Sequence, residues 1–316
     1  MRYFVTGGAG FIGSNYVEHL LNKVEGVTAV TIYDKFTYAA SPKNFQEVSN
    51  DPRLTVVKGD ICDASTLEDS ISEHDFVLHF AAESHVDRSI ENGSAFITSN
   101  VLGTFNVLEA SRKAGVRKVV HISTDEVYGS IVEGAANEDD PLFPNSPYSA
   151  SKAASDLLAR SYFKTYGLDV RTTRSCNNFG KHQYPEKLIP VVIQKIYRQF
   201  MVPVYGDGSN VREWIHVQDN CRAIQLVLEK GSPGEIYNIG AGNRLSNLDL
   251  IQLIATKMHV AEADLVEFVS DRAGHDFRYA LDSRKIISLG FKQEKDFDLE
   301  ISETIKWYLE NSNWWN

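Results

Sequence analysis

The stretch that decides how this chain is read is TGGAGFIG, residues 6–13. Gly8, Gly10 and Gly13 fit G-x-G-x-x-G, and Gly7 adds the wider G-x-x-G-x-x-G spacing. A lone match is weak, and its bland reading is a glycine turn with no ligand. Context strengthens it. The apolar run RYFVTG (2–7) precedes the turn, FIGSNYVEHLLNK (11–23) follows with helical spacing, and Asp34 stands 21 residues after Gly13 at the end of the next apolar run. In that order the glycines bring backbone close to a pyrophosphate at a helix N-terminus, and the acid holds the ribose hydroxyls. An acid there disfavours the extra phosphate of NADP, so NAD is the expected cofactor; Lys35 beside it points weakly the other way.

Working outward, further β-rich runs follow: AVTIYD (29–34), LTVVKGD (54–60), DFVLHFAA (75–82), KVVHIS (118–123) and DVRTTRS (169–175). They are nearly continuous in apolar character, as strands buried on both faces are. Helical segments lie between several of them, among them SAFITSNVLGTFNVLEASRKAG (94–115). The alternation predicts an α/β fold, a Rossmann-type doubly wound parallel sheet with ligands beyond the strands' carboxyl ends. Residues 1–178 are expected to form the NAD-binding domain, with a segment near 212–230 returning to it. The alternation weakens after residue 180, so 179–316 is expected to be mainly a smaller C-terminal substrate-binding lobe.

Composition excludes several classes. Hydrophobic residues make up 43% and charged residues 23% of 316, and no apolar run reaches the roughly 20 residues of a membrane span. The opening MRYFVTGGAG enters a strand and a turn at once and leaves no room for a signal peptide, so a cytoplasmic protein is expected. Cys62, Cys176 and Cys221 are odd in number and widely spaced, which suits a reducing compartment. A net charge of −10 argues against nucleic-acid binding and requires that an anionic ligand meet local cations. No H-x-H, H-E-x-x-H or acidic cluster suggests a metal.

Two further segments carry chemistry. In NSPYSASK, Tyr148 and Lys152 stand at i and i+4 and share a helix face, with Ser146 and Pro147 as N-cap and first helical residue. A cation one turn away is expected to lower the tyrosine's pKa toward the working range. In VVHISTDEVYGS (119–130) an apolar strand runs into Thr124, Asp125 and Glu126. A solvated turn is the ordinary reading of two adjacent carboxylates. Their place on the functional edge of the sheet offers acid/base chemistry instead.

TGGAGFIG with YSASK resembles the extended short-chain dehydrogenase/reductases, and STDEVYG is similar to the run in the dTDP-glucose 4,6-dehydratases. The likeness continues through YDKFTYA, GDICD, AAESHVDRS, YSASKAASD, NNFG, PEKLIP, GDG before Arg212, DRAGHD before RYALD, and the terminal WYLENSNWW. The resemblance implies an NAD-dependent hydro-lyase: Tyr148 as base for C4 oxidation, Lys152 on the nicotinamide ribose, Thr124 on the sugar oxygen, Glu126 removing the C5 proton and Asp125 protonating the C6 hydroxyl. Asp125 must then carry a raised pKa. It also implies cofactor contacts at Gly7, Gly10, Phe11, Ile12, Gly13, Asp34, Lys35, Phe36, Thr37, Asp60, Ile61, Ala81, Ala82, Ser84, Ser99 and Asn178. For the nucleotide sugar it implies Ser84, His85, Asn177, Glu186, Lys187, Leu188, Pro203, Val204, Tyr205, Arg212, Asn247, Arg272 and His275. NAD is recycled within each turnover and so is expected to stay bound.

The chain departs from that pattern at Ser175, Cys176, Phe179, Lys181 and Ala273, and the stretch Ser130 to Asn145 is short for the family. These bear on the nucleotide pocket and on any lid over the sugar. The competing readings are a dehydratase of a UDP-, CDP- or GDP-sugar, an epimerase or decarboxylase of the same fold, and a catalytically silent NAD-binding sensor. Asp125 and Glu126 argue against the epimerase. The helices near 94–114 and 148–166 are expected, by resemblance, to pair with their copies in a four-helix homodimer interface.

Overall fold

A computed structural model describes residues 1–260 and 265–315. Six strands come first: β1 (Arg2–Thr6), β2 (Ala29–Asp34), β3 (Leu54–Lys58), β4 (Phe76–His79), β5 (Lys118–Thr124) and β6 (Val170–Ser175). They are followed by β7 (Asn177–Phe179), β8 (Val202–Tyr205), β9 (Val211–His216), β10 (Ile236–Ile239), β11 (Asn243–Ser246) and β12 (Val266–Val269). A seven-stranded sheet runs in the order β10-β6-β5-β4-β1-β2-β3, every pairing parallel. The order reverses between β1 and β4, and a doubly wound sheet opens its ligand crevice at such a switch point. The architecture is thus a Rossmann-type sheet with a smaller lobe.

The period-2 alternation of the strands builds two cores on one sheet. Tyr3, Val5, Val120 and Ile122 face a cluster closed by α1 (Phe11–Lys23). Phe4, Val77, Val119 and Val170 face the opposite cluster, covered by α2 (Ala64–Ile71), by the last of the helices that follow β4, and by Ala159 and Tyr162 of the helix after β5. The helices after β4 are α3 (Val86–Glu91), α4 (Gly93–Phe96) and α5 (Thr104–Lys113), and of these α5 supplies Val107, Leu108 and Ala110 to that cluster. The unbroken helix expected over 94–114 is interrupted by a wide π-helical turn, Ile97–Gly103. That turn carries the buried Asn100, whose amide accepts from Glu83 N (2.8 Å) and donates to Glu83 O (3.0 Å) and Ser151 Oγ (2.8 Å). Helical periodicity does not register such a turn, because one extra residue barely changes the apolar stripe.

α6 (Pro147–Tyr166) begins at a reciprocal cap in which Ser146 and Ser149 bond each other's backbone N–H, and it ends at Gly167, whose φ of 70° is left-handed. Beyond it, β7 and then α7 (Leu188–Tyr197) enter the second lobe, whose sheets are β11-β9-β7 and β12-β8. α8 (Val217–Lys230) packs Cys221, Ile224, Val227 and Leu228 beside α1, and β10 then joins the edge of the large sheet next to β6. The return to the first domain therefore runs past residue 230. α9 (Asn247–Lys257), α10 (Arg284–Ser288), α11 (Phe297–Glu310) and α12 (Ser312–Trp315) follow; α9 and α11 form with α7 a third core, that of the second lobe, while Ile286 of α10 joins the cluster on the α1 face of the large sheet. The stretch after Gly129 is pinned to the C-terminal part by Ile131 N to Arg278 O (2.9 Å), an Ala136–Leu281 bridge and Asn145 Nδ2 to Asp276 Oδ1 (2.6 Å).

Candidate active site

The switch point opens into a cleft of about 700 Å³ that runs from the glycine turn to the second lobe. At its floor Gly7 adopts φ +69°, and a Cβ there would meet Ala81 N at 2.5 Å, so β1 and β4 approach too closely for any side chain. A Cβ at Gly13 would strike Gly7 O. Gly10 caps α1 with no side-chain hydrogen bond and no acid follows in the first turn, leaving the helix N-terminus open for an anion. Asp34 is buried at the end of β2, where Oδ2 accepts from Ala9 N (2.9 Å) and Oδ1 from Phe36 N (2.8 Å). Lys35 pairs with Asp60 at 2.7 Å, so its charge is already met. On the far wall Asn178 Oδ1 is buried without a hydrogen-bond partner. Glycine cradle, open helix end, ribose-facing acid and orphan acceptor together fit a dinucleotide.

Across the cleft, β5 delivers Thr124, and a turn of 3-10 helix, Asp125–Tyr128, follows it directly. Thr124 Oγ1 donates to Asp125 Oδ1 (3.1 Å) and accepts from Glu126 N (3.3 Å). Asp125 is 3% exposed and its Oδ2 has no hydrogen-bond partner. Burial, then the charges of Glu126 and Glu213, push its carboxyl well above the usual range. Glu126 is raised too, by burial first, with Lys187 and Arg212 opposing, so both carboxyls move up and Asp125 the further. The two neighbours are thus driven apart, which is the condition for one acid and one base.

Tyr148 and Lys152 line the same cleft from α6. Here one expectation is corrected. Burial, followed by the charge of Glu126, holds the Tyr148 phenol well above its ordinary range, with the Thr124 hydrogen bond opposing. Lys152 is itself buried, which brings it down to about 8, and its Nζ donates to Ile122 O at 2.7 Å. A cation one turn away does not outweigh desolvation of both partners.

The lobe contributes the cations. Arg212, on β9, is buried rather than solvated; Nη2 donates to Asp276 O (2.9 Å), Nη1 to Val211 O (2.9 Å), and the guanidinium lies 4.4 Å from the Tyr279 ring centroid. Lys187 Nζ reaches across to Ser84 O (2.7 Å). Arg272 stacks 4.6 Å from the Tyr205 ring centroid and lies 3.3 Å from Asp87. His85 caps α3, accepting from Arg88 N at 3.4 Å, and stands 4.0 Å from Glu186. Phe11, Ile12, Thr37, Ile61, Ala82, Ser99, Asn177, Leu188, Pro203, Asn247 and His275 also line the cleft.

Two expected residues do not. Val204 alternates away from Pro203 and Tyr205 into the core of the second lobe, and Phe36, at φ +56°, packs against the core on the α1 face of the large sheet. Glu83, Asp87, Asp276 and Tyr279 line the cleft without having been singled out. All four stood inside quoted motif blocks, Glu83 and Asp87 in AAESHVDRS, Asp276 in DRAGHD and Tyr279 in RYALD, but none of those blocks gave them a role.

A family model described as GDP-mannose 4,6 dehydratase matches residues 4–304. The chain belongs to that family. Within the family it is 51% identical over 320 residues to a dTDP-glucose 4,6-dehydratase of Streptomyces antibioticus, covering 100% of this chain and 94% of the relative. The crystal structure of DesIV, a dTDP-glucose 4,6-dehydratase from Streptomyces venezuelae with NAD bound, superposes with a TM-score of 0.98 at 50% identity, covering 100% and 99% of the two chains. A UDP-glucose 4-epimerase of Thermus thermophilus in complex with NAD superposes at 0.89 and 30% identity, over 98% and 100%. The fold is therefore shared with epimerases, and the chemistry must be read from the cleft.

Proposed function

We propose that the chain is an NAD-dependent dTDP-glucose 4,6-dehydratase, converting its substrate to dTDP-4-keto-6-deoxyglucose and water. The observation that carries the reading is the pair Asp125 and Glu126 beside Thr124, Tyr148 and Lys152: oxidation and re-reduction of an alcohol need only the last three. The full-length relatives near 50% identity support the same sugar and nucleotide. When bound, NAD supplies the acceptor for the C4 hydride and gives that hydride back at C6.

The residues divide the remaining work. Tyr148, whose phenolate burial disfavours and a cationic nicotinamide beside it would favour, takes the C4 hydroxyl proton as that phenolate, Thr124 hydrogen-bonds the sugar oxygen, and Lys152 orients the tyrosine and the ribose. A C4 ketone acidifies C5. Glu126, drawn toward its ionised form by Lys187 and Arg212, removes the C5 proton, while Asp125, kept protonated, gives its proton to the departing C6 hydroxyl; as C6 is reduced, Glu126 returns a proton to C5. Arg212 and Arg272, each stacked on a tyrosine, are suited to the diphosphate.

A homodimer is part of this reading. Ile97, Leu102 and Phe105 of the 97–113 segment and Leu157 and Tyr166 of α6 are exposed apolar side chains on the two helices expected to pair. No helix among the described residues is long and apolar enough to cross a membrane, and free thiols at all three cysteines support a cytoplasmic location.

Purified protein incubated separately with dTDP-glucose and UDP-glucose, without added NAD, tests the function by mass spectrometry. Loss of one water from the dTDP sugar alone is expected. Loss from the UDP sugar alone would move the substrate to another nucleotide; no loss from either, with NAD supplied, would sink the dehydratase.

A further inference from the structure

One turn beyond Lys152 on α6 lies Asp156, a buried carboxylate that the reaction as described leaves idle. Its side chain is 2% exposed, Oδ2 accepts from Arg174 Nε at 2.8 Å, and Oδ1 lies 3.2 Å from His121 Nε2. Arg174, on β6, donates Nη1 to the Tyr128 hydroxyl (2.7 Å), which donates to Asn238 Oδ1 on β10 (2.8 Å). Tyr128 closes the turn that carries Asp125 and Glu126. Ile122, the neighbour of His121 on β5, accepts from Lys152 Nζ. A single carboxylate thus joins the helix of Tyr148 and Lys152 to the strand and turn bearing Thr124, Asp125 and Glu126. Stability alone does not explain it, since apolar side chains can replace a buried charge cluster without loss.

The charges around Lys152 favour the same residue. His79 on β4 and His121 on β5 face it, both held neutral by burial, and Tyr148 shares its helix face. Asp156 stays ionised, lowered to about 2 despite burial by the His121 ring 3.2 Å away and by the Arg174 guanidinium. It is the anion that supports the charge of Lys152.

We propose that Asp156 is a positioning residue for the dehydratase: by holding Arg174 and His121 together it keeps the Tyr148–Lys152 helix in register with the Thr124–Tyr128 segment and gives Lys152 an anion to face. The inference rests on the dehydratase reading above.

The test compares the full-length protein with Asp156→Asn, Asp156→Glu and Tyr128→Phe, each with its bound cofactor and dTDP-glucose. Asp156→Asn is expected to lower kcat on the order of 10²-fold, the cost of a small misplacement. KM stays unchanged, because substrate contacts are intact. Without the anion Lys152 loses its proton sooner, so the alkaline limb of kcat moves to lower pH by about one unit. Asp156→Glu restores the charge on a longer arm, returning the limb to its place but only part of kcat. Tyr128→Phe cuts the tether alone and lowers kcat without moving the limb.

A fall in kcat for Asp156→Asn with the limb unmoved would make Asp156 merely structural and overturn the proposal. Should Asp156→Asn not fold, wild-type kcat in both other variants would overturn it instead. Wild-type protein inert toward dTDP-glucose would sink both readings, whereas an active wild type beside unaltered variants sinks this one alone.

Discussion

Asp125 and Glu126 are adjacent in sequence and yet differ in what holds them. Asp125 faces two other carboxylates and carries an oxygen with no donor, while Glu126 faces Lys187 and Arg212. Replacing either, Asp125→Asn or Glu126→Gln, is expected to lower dehydration by about 10²–10⁴-fold, the usual worth of a general acid or base. The quenched mixture should then contain the C4-oxidised hexose, lighter by two hydrogens and still bearing its C6 oxygen; an unchanged rate of water loss would remove the carboxylates from the mechanism. Lys152 sets the upper limit in pH. Its depressed value of about 8 means the ammonium is present below that pH and lost above it, so kcat should hold at neutrality and fall as pH rises through about 8. A flat profile to pH 10 would show that Lys152 acts without its charge. The tyrosine–lysine spacing was legible in the sequence because i and i+4 are fixed by the helix. The direction of the tyrosine's pKa was not, because burial comes from elements far away in the chain.

At the scale of elements, local punctuation carried most of the fold. Glycines at 7, 10 and 13, Asp34 at a strand end, and the Ser146–Pro147 start of α6 are each set by a few neighbouring residues, and the structure finds them in their expected elements. The π-helical turn at Ile97–Gly103 was missed, since it preserves the apolar stripe. The burial of Arg212 has no local signal in the sequence, since its carbonyl partners at Asp276 and Phe277 lie more than 60 positions away. The glycine turn gives a sharp prediction. Gly13→Ala forces a methyl onto Gly7 O, so it should cost about 1–3 kcal/mol of stability as overpacking does and strip the bound cofactor. Thermal unfolding and the nicotinamide content of the purified protein check both, and a variant that retains its cofactor would mean the turn relaxes.

The whole molecule leaves an apolar strip uncovered. Ile97 is 55%, Leu157 60% and Tyr166 56% exposed, on the helices proposed to meet a second copy. Light scattering should give twice the 35.4 kDa chain mass, and Phe105→Glu should shift the population toward monomer. A monomeric wild type would refute the interface. The arrangement of lobes was only partly legible, because a strand that returns late, like β10, looks in sequence like any short apolar run.

That late return limits how the protein can be re-engineered. Because β10 pairs with β6 after the chain has already visited the second lobe, and α11 then goes back to that lobe, neither half is a contiguous module. A chimera that grafts another enzyme's residues after position 178 would take with it the edge strand and the α8 packing of the recipient's own sheet. Substrate range is therefore better altered by point changes along the cleft than by swapping halves, and a protease nick between the lobes should leave the fragments associated.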